Sequence, residues 1–157
     1  MKIIVFSDSH GASASVDKLA CHYKTDMIFC GDGIHDVEEA EKFNPSVTIY
    51  RVYGNCDLGF NMPRFIVIPF GRHRLFCTHG HAFGNGDKDL IIAEAVKNKC
   101  DCALFGHTHC AVSEERNGIL LVNPGSLGYK GSYAILSDTD GILTAEIKDI
   151  DDIPQII

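Results

Sequence analysis

A chain of 157 residues that is 45% hydrophobic and 22% charged, with a mean hydropathy of +0.02, has the size and composition of one folded domain, residues 1–157, that needs neither disulfides nor a structural metal to bury a core. Its formal charge of −7, without any cluster of Lys or Arg, excludes a surface built to neutralise duplex nucleic acid, while small phosphate compounds stay open because a bound metal can supply positive charge. The apolar start Ile3–Phe6 is too short for a membrane span or signal peptide, and seven cysteines, an odd number, fit reduced thiols, so a cytoplasmic protein with no membrane partner is expected.

Along the chain, short runs rich in Val, Ile, Phe and Tyr alternate with amphipathic stretches, the pattern of an α/β protein. Lys2–Ser7 reads as a buried strand, residues 12–23 as a helix and Met27–Cys30 as a short strand. Residues 37–43 read as a helix whose Asp36 and Glu39 have capping-box spacing, and Val47–Tyr53 as the next strand. Strands Phe65–Phe70 and His73–Thr78 flank Gly71-Arg72, a two-residue hairpin connection. A helix over residues 87–98 follows, with Asp87 as N-cap and Leu90, Ile91 and Ala95 facing inward. Ala103–Phe105, a hairpin turning at Asn117-Gly118, and strands at Ile119–Val122, Tyr133–Ser137 and Ile142–Ile147 complete the series. Two stacked sheets with helices outside are expected, and the tail from Asp149 carries no signal. Cys30, Cys77 and Cys102 sit in apolar runs and read as small buried hydrophobes, and Cys100-Asp101-Cys102 lacks the spacing of a structural zinc site.

Five of the strands end in polar residues: Asp8-Ser9-His10, Gly31-Asp32, Gly54-Asn55-Cys56-Asp57, His79-Gly80-His81 and Gly106-His107-Thr108-His109. Carboxyl ends of strands are where open α/β sheets place a ligand crevice. In extended backbone, residues i and i+2 point the same way, so Asp8 with His10, and His107 with His109, are each expected to direct two side chains into one space. Glycines 31, 54, 80 and 106 would let the backbone turn or approach a neighbour closely. Seven carboxylate, imidazole and amide groups exceed what one cation needs and suit two cations sharing a carboxylate, with Asp32 as the candidate bridge.

The ordered set D-x-H, G-D, G-N-x-D, H-G-H, G-H-T-H and Asn123-Pro124-Gly125-Ser126 resembles the calcineurin-like metallophosphoesterases, and the lack of large insertions resembles their small YfcE-type phosphodiesterase group. The resemblance implies a four-layer αββα sandwich of two mixed β-sheets flanked by helices. It implies one divalent metal on Asp8, His10, Asp32 and His109 and a second on Asp32, Asn55, His79 and His107. Mn²⁺ is expected, with Ni, Fe, Co or Zn compatible with the mixed O and N donors. The metals would acidify a bridging water that attacks phosphorus in line. Asn55, Asp57 and His81 join the catalytic set, His81 touching phosphate or orienting His79 and Asp57 holding the Asn55 loop. Cys56, Asn123 and Ser126 are expected at the substrate pocket, the latter two shaping or bracing it.

Many members of the superfamily carry His where this chain has Cys56. A thiol is a poorer acid at neutral pH, which weighs least on good leaving groups, so a small phosphodiester or related phosphate compound is the expected substrate. Tyr129 and Lys130 are read as solvent-facing loop residues in preference to contacts with a nucleotide or sugar phosphate. Pairing into a homodimer is expected from the resemblance. The alternative from another class is a non-catalytic protein-binding scaffold of the same fold, resembling the retromer subunit.

Overall fold

The computed structural model describes residues 1–58 and 62–155. Its elements are β1 Lys2–Phe6, α1 Ser13–Tyr23, β2 Met27–Phe29, α2 Ile34–Phe43, β3 Ile49–Arg51, β4 Ile66–Phe70, β5 His73–Cys77, α3 Lys88–Lys97, β6 Cys102–Leu104, β7 Val112–Arg116, β8 Ile119–Asn123, α4 Leu127–Lys130, β9 Ser132–Thr139 and β10 Ile142–Asp149. Two five-stranded mixed sheets run β10-β9-β1-β2-β3 and β4-β5-β6-β8-β7. Strands β1, β2 and β3 are parallel, as are β5, β6 and β8, so six carboxyl ends open toward one edge of the stack.

Strand alternation builds the layers. Ile4 and Phe6 of β1 pack with Val16, Leu19 and Ala20 of α1 and Val37 of α2, while Ile3 and Val5 face the second sheet with Leu75, Leu104 and Val122. The outer face of that sheet, with Phe76, Ala103 and Leu121, is closed by Ile91, Ile92 and Ala95 of α3. These three apolar layers between helix, sheet, sheet and helix are the expected αββα sandwich, and each fully buried aliphatic or aromatic side chain contributes about 1.5–3 kcal/mol. Cys30, Cys77 and Cys102 are fully buried between the sheets, and the Sγ atoms of Cys30 and Cys77 lie 3.7 Å apart as free thiols. The two hairpin turns carry positive φ at Gly71 (+59°) and at Asn117 (+54°) and Gly118 (+78°), as tight hairpins require.

Three sequence expectations shift. Leu90 is 50% exposed and Ile92 takes the inward place, because the buried face of α3 centres between positions 91, 92 and 95, with Leu90 on the opposite side. Helix α2 begins at Ile34, not at Val37, so Asp36 lies inside the first turn and is buried rather than capping. The amides of Gly33 and Ile34 are instead satisfied by the carboxylate of Asp57, a cap supplied from a distant loop that no local spacing announces. The tail is also structured: Ile150 and Ile153 enter the core over α1, and Lys18 donates to the carbonyl of Ile150. Among the described residues no helix is long and apolar enough to cross a membrane.

Candidate metal centre

The seven side chains singled out from the sequence meet where the two sheets' carboxyl ends face each other. On one side, Nε2 of His109 lies 3.1 Å and Nε2 of His10 3.5 Å from Asp8 Oδ1. On the other, Nε2 of His79 lies 3.1 Å from Asp32 Oδ2 and 2.9 Å from Asn55 Oδ1, and Nδ1 of His107 lies 3.1 Å from the same amide oxygen. Asp32 Oδ2 is also 3.9 Å from His10 Nε2, so this carboxylate stands between the two groups. Asp8, Asp32 and His79 are buried, whereas His10, His107 and His109 are half-buried and Asn55 is exposed at the mouth.

The side chains do not converge by strand alternation. Asp8 (φ +51°), His10 (+42°), Asp32 (+66°), His107 (+68°) and His109 (+61°) all occupy the left-handed region, and only Asn55 and His79 of the seven avoid it. Asp, Asn and His tolerate that region better than other non-glycine residues, but each such position still costs about 1–3 kcal/mol and persists only where the surroundings enforce it. The enforcement is visible in hydrogen bonds. Ser7 Oγ donates to Asp8 Oδ2 at 2.5 Å, Ser9 Oγ donates to Asp36 Oδ2 at 2.6 Å, and the N–H of Gly11 donates to the same Asp36 oxygen at 2.9 Å. Close packing adds to it: a Cβ on Gly31 would lie 2.6 Å from Nδ1 of His79, and one on Gly54 would lie 2.6 Å from the Asp32 carboxyl carbon. Only glycine lets these loops press against the cluster.

Asp57 accepts the N–H groups of Asp32 at 2.8 Å, Gly33 at 2.9 Å, Ile34 at 3.0 Å and Gly54 at 2.9 Å. Its carboxylate is consumed by main chain and acts on the cluster through the loops that carry Asp32 and Asn55. Asn123 and Ser126, expected at the substrate pocket, are fully buried and fully engaged instead. Asn123 Nδ2 donates to the Gly106 carbonyl and to Thr108 Oγ1, its Oδ1 accepts from Gly125, and Ser126 Oγ donates to the Asp8 carbonyl while accepting from Tyr129. Buried and with their side-chain polar atoms engaged in this way, both brace the His107 and Asp8 loops. His81 flanks the cluster, its ring 5.4 Å from that of His79 and 6.3 Å from that of His107. Cys56 is exposed, and its N–H donates to Asp32 Oδ1 at 2.8 Å.

Sequence reading undervalued two residues. Tyr129 stacks on His10 with ring centroids 4.9 Å apart at 23° and lies 5.2 Å from the His109 ring, so it walls the cluster rather than facing solvent alone. Its place three residues beyond the Asn123–Ser126 loop was the available signal. Asp36 was disguised by its resemblance to a helix cap.

Electrostatics follow from this crowding. Burial opposes ionisation of Asp32, but the His79 hydrogen bond, the Cys56 N–H and the His79 charge outweigh it and hold its carboxyl at about 2. Burial also pulls His79 down, yet its hydrogen bond to Asp32 and the charges of Asp8 and Asp32 leave it raised. His81 and His107 are both lowered, by burial first and then by the neighbouring imidazoles. The Cys56 thiol is raised by burial and by the charge of Asp32.

The donor set suits divalent cations. Nε2 of His10 is buried without a hydrogen-bond partner although two carboxylates stand 3.5 and 3.9 Å away, an arrangement that costs about 1–3 kcal/mol unless something between them satisfies it. Asp8, His10 and His109 each offer one atom within 4.8 Å of the others, and so do Asp8, Asp32 and His79. Carboxylate and imidazole at these separations are ligands for first-row divalent ions.

Known proteins agree with this geometry. The sequence model of the calcineurin-like phosphoesterase superfamily domain matches residues 1–144. The probable metallophosphoesterase YsnB of Bacillus subtilis is 31% identical over 159 residues, covering 95% of this chain and 91% of the relative. Phosphodiesterase YfcE of Escherichia coli K12 is 27% identical over 186 residues, with 99% and 97% covered. Among solved structures, a predicted phosphoesterase from Streptococcus pneumoniae superposes with a TM-score of 0.82 at 26% identity, over 96% of this chain and 90% of that one. Motif order, layer order and overall sequence thus point the same way, and the chain belongs to the calcineurin-like phosphoesterase superfamily.

Proposed function

We propose that this chain is a metal-dependent phosphoesterase that hydrolyses phosphodiesters, with residues 1–157 working as one cytoplasmic domain that pairs as a homodimer. Asp8, His10, Asp32 and His109 would hold one divalent cation and Asp32, Asn55, His79 and His107 a second, Mn²⁺ being the proposed ion. The single observation that carries this reading is Nε2 of His10, buried and unpartnered between the carboxylates of Asp8 and Asp32. When bound, the cations supply Lewis acidity, a water acidic enough to ionise near neutral pH and neutralisation of charge on the phosphoryl oxygens.

The protein's own part is positioning. Asp32 presents one carboxylate oxygen to the cluster while its other oxygen is tied to the Cys56 N–H, which fixes the direction of the free lone pairs. His79 is oriented by the contact of its Nδ1 with the Cys30 carbonyl at 2.8 Å, so that Nε2 faces the cluster. His81, at the flank, is placed to donate to a phosphoryl oxygen. Cys56 stands at the mouth, where many relatives place an imidazole; a thiol is a weak donor, so the leaving group departs with little help and esters with good leaving groups are favoured.

The test is hydrolysis of bis(p-nitrophenyl) phosphate beside p-nitrophenyl phosphate, on chelated protein refilled with Mn²⁺, with His107→Ala as control. Diester turnover that needs the metal and is lost in His107→Ala is the expected result. A folded protein inactive with every divalent ion would instead make the cluster a relic on a protein-binding platform.

A further inference from the structure

Beside the cluster lies a recess of about 240 Å³ lined by residues including Tyr53, Gly54, Asp57, Met62, Arg64 and His81, of which Gly54 precedes Asn55 and His81 flanks His79. Pockets that hold a whole drug-sized ligand run to roughly 300–1,000 Å³, so this one suits one arm of a substrate whose phosphate sits at the cluster. Among the described residues Arg64 is the only Lys or Arg in the lining. Its guanidinium is anchored twice: Nη2 donates to the Ala82 carbonyl at 2.9 Å, and Cζ lies 5.0 Å from the centroid of the Phe83 ring. An arginine has five N–H donors, so these anchors fix the group while leaving donors for a ligand.

The one carboxylate among the described lining residues, Asp57, does not cancel that charge. Both oxygens of Asp57 are occupied by four main-chain N–H groups at the start of α2 and beside it, so its negative charge is met by the amides and the helix dipole. The recess is therefore lined by one arginine with an anchored guanidinium, beside His81 and the partly buried Tyr53. A planar guanidinium matches the oxygens of a phosphate two at a time, which a point charge does not.

We propose that the recess binds a second phosphate, carried on one ester arm of the diester, and that Arg64 determines this specificity. The inference rests on the phosphodiesterase reading of the neighbouring cluster and names the substrate class: diesters in which one esterified group is itself phosphorylated. Hydrolysis remains the ordinary addition of water across a P–O bond, and the second phosphate is held without reacting.

A matched pair of substrates tests it: thymidine 5′-(p-nitrophenyl phosphate) and the same compound phosphorylated at the 3′ position, both releasing p-nitrophenolate, on the Mn²⁺-loaded protein. The expected result is a preference of about tenfold in kcat/KM for the phosphorylated compound, expressed in KM, as a charge-assisted hydrogen bond would give. Arg64→Gln should bring the ratio to about one and Arg64→Lys should keep part of it, with far-ultraviolet circular dichroism checking that both variants fold. Equal kcat/KM for the pair, or a preference that survives Arg64→Gln, overturns the inference while leaving the phosphodiesterase reading intact. If neither compound is hydrolysed, calorimetry with thymidine 3′,5′-bisphosphate and thymidine 5′-monophosphate decides. Tighter bisphosphate binding that Arg64→Gln removes would keep the recess and sink the enzyme reading, and equal binding would sink both.

Discussion

Asp57 accepts the main-chain N–H of Asp32 at 2.8 Å, and the same carboxylate oxygen takes the N–H of Gly54 at 2.9 Å, so one side chain ties together the two loops that carry Asp32 and Asn55. Because it also caps α2, it couples the geometry of the cluster to the stability of the domain. Asp57→Ala strands four amides, and we expect a loss on the order of 3 kcal/mol in denaturant unfolding together with a fall of about 10–100-fold in Mn²⁺ affinity. Asp57→Asn keeps one acceptor oxygen and should lose less of both. Unchanged affinity in a destabilised Asp57→Ala protein would show that the cluster does not depend on this tie.

The Tyr129 ring stacks on the imidazole of His10 and is itself 66% exposed, so it acts on the cluster through His10. Removing it in Tyr129→Ala frees the His10 ring to rotate, and the lost aromatic contact is worth about 0.5–1.5 kcal/mol. Expressed as metal binding, that is a weakening of several-fold in a Mn²⁺ titration, with Tyr129→Phe indistinguishable from the parent. Were Tyr129→Ala to bind Mn²⁺ as tightly as Tyr129→Phe, the stacking would have no positioning role.

At the mouth, Cys56→His replaces a weak donor with an imidazole able to protonate a poor leaving group. General acid catalysis is typically worth 10²–10⁴-fold, and an imidazole placed without supporting partners should recover only part of that. The ratio of p-nitrophenyl phosphate to bis(p-nitrophenyl) phosphate hydrolysis should therefore rise by roughly tenfold or more. An unchanged ratio refutes the role given to this position.

How these residues come together was only partly legible in the sequence. The inner strands β1, β2 and β6 were readable because their apolar runs are buried on both faces, and the polar residues at their carboxyl ends marked the edge of the stack. The manner of convergence was not: φ values of +42° to +68° at Asp8, His10, Asp32, His107 and His109 are imposed by contacts from other loops, and no local pattern encodes them. The brace of Asp57 on α2 spans more than twenty residues, which made Asp36 look like a cap. Asn123 and Ser126 belong to a motif of the family resemblance, but only the fold shows that their side chains are spent on the Gly106, Gly125 and Asp8 main chain.

Asp8 and Asp32 are almost fully buried, with imidazoles as their nearest counter-charge, so the folded state should be bound and stabilised by divalent cations. Mn²⁺ at 100 times its dissociation constant adds about 2.7 kcal/mol, provided that the unfolded chain does not bind it. For a domain of this length, that is a rise of roughly 5–10 °C in Tm, reversed by chelation. A Tm indifferent to Mn²⁺, Zn²⁺ and Ni²⁺ would mean that no such ion binds the native cluster.

Away from the cluster, His73 Nδ1 lies 2.5 Å from Asp101 Oδ2, and its Nε2 lies 3.7 Å from Asp138 Oδ2. The Asp101 hydrogen bond, opposed by burial and helped by the charges of Asp101 and Asp138, raises the His73 pKa above its ordinary 6.5. Asp101 is correspondingly lowered from 3.8: burial opposes, but the bonds from His73 and from the Arg74 N–H prevail. A raised histidine stabilises the fold fully below its unfolded value of 6.5 and loses that contribution as pH rises through the higher folded value, while the lowered Asp101 contributes above 3.8 and fades only as pH falls through its folded value. The pair therefore acts most strongly between these limits. Thermal unfolding from about pH 5 to about pH 9 should show the parent ahead of His73→Gln at the acid end, with the gap closing as pH rises. A gap that stays constant across that range would show that His73 contributes by packing and not as the charged partner of Asp101.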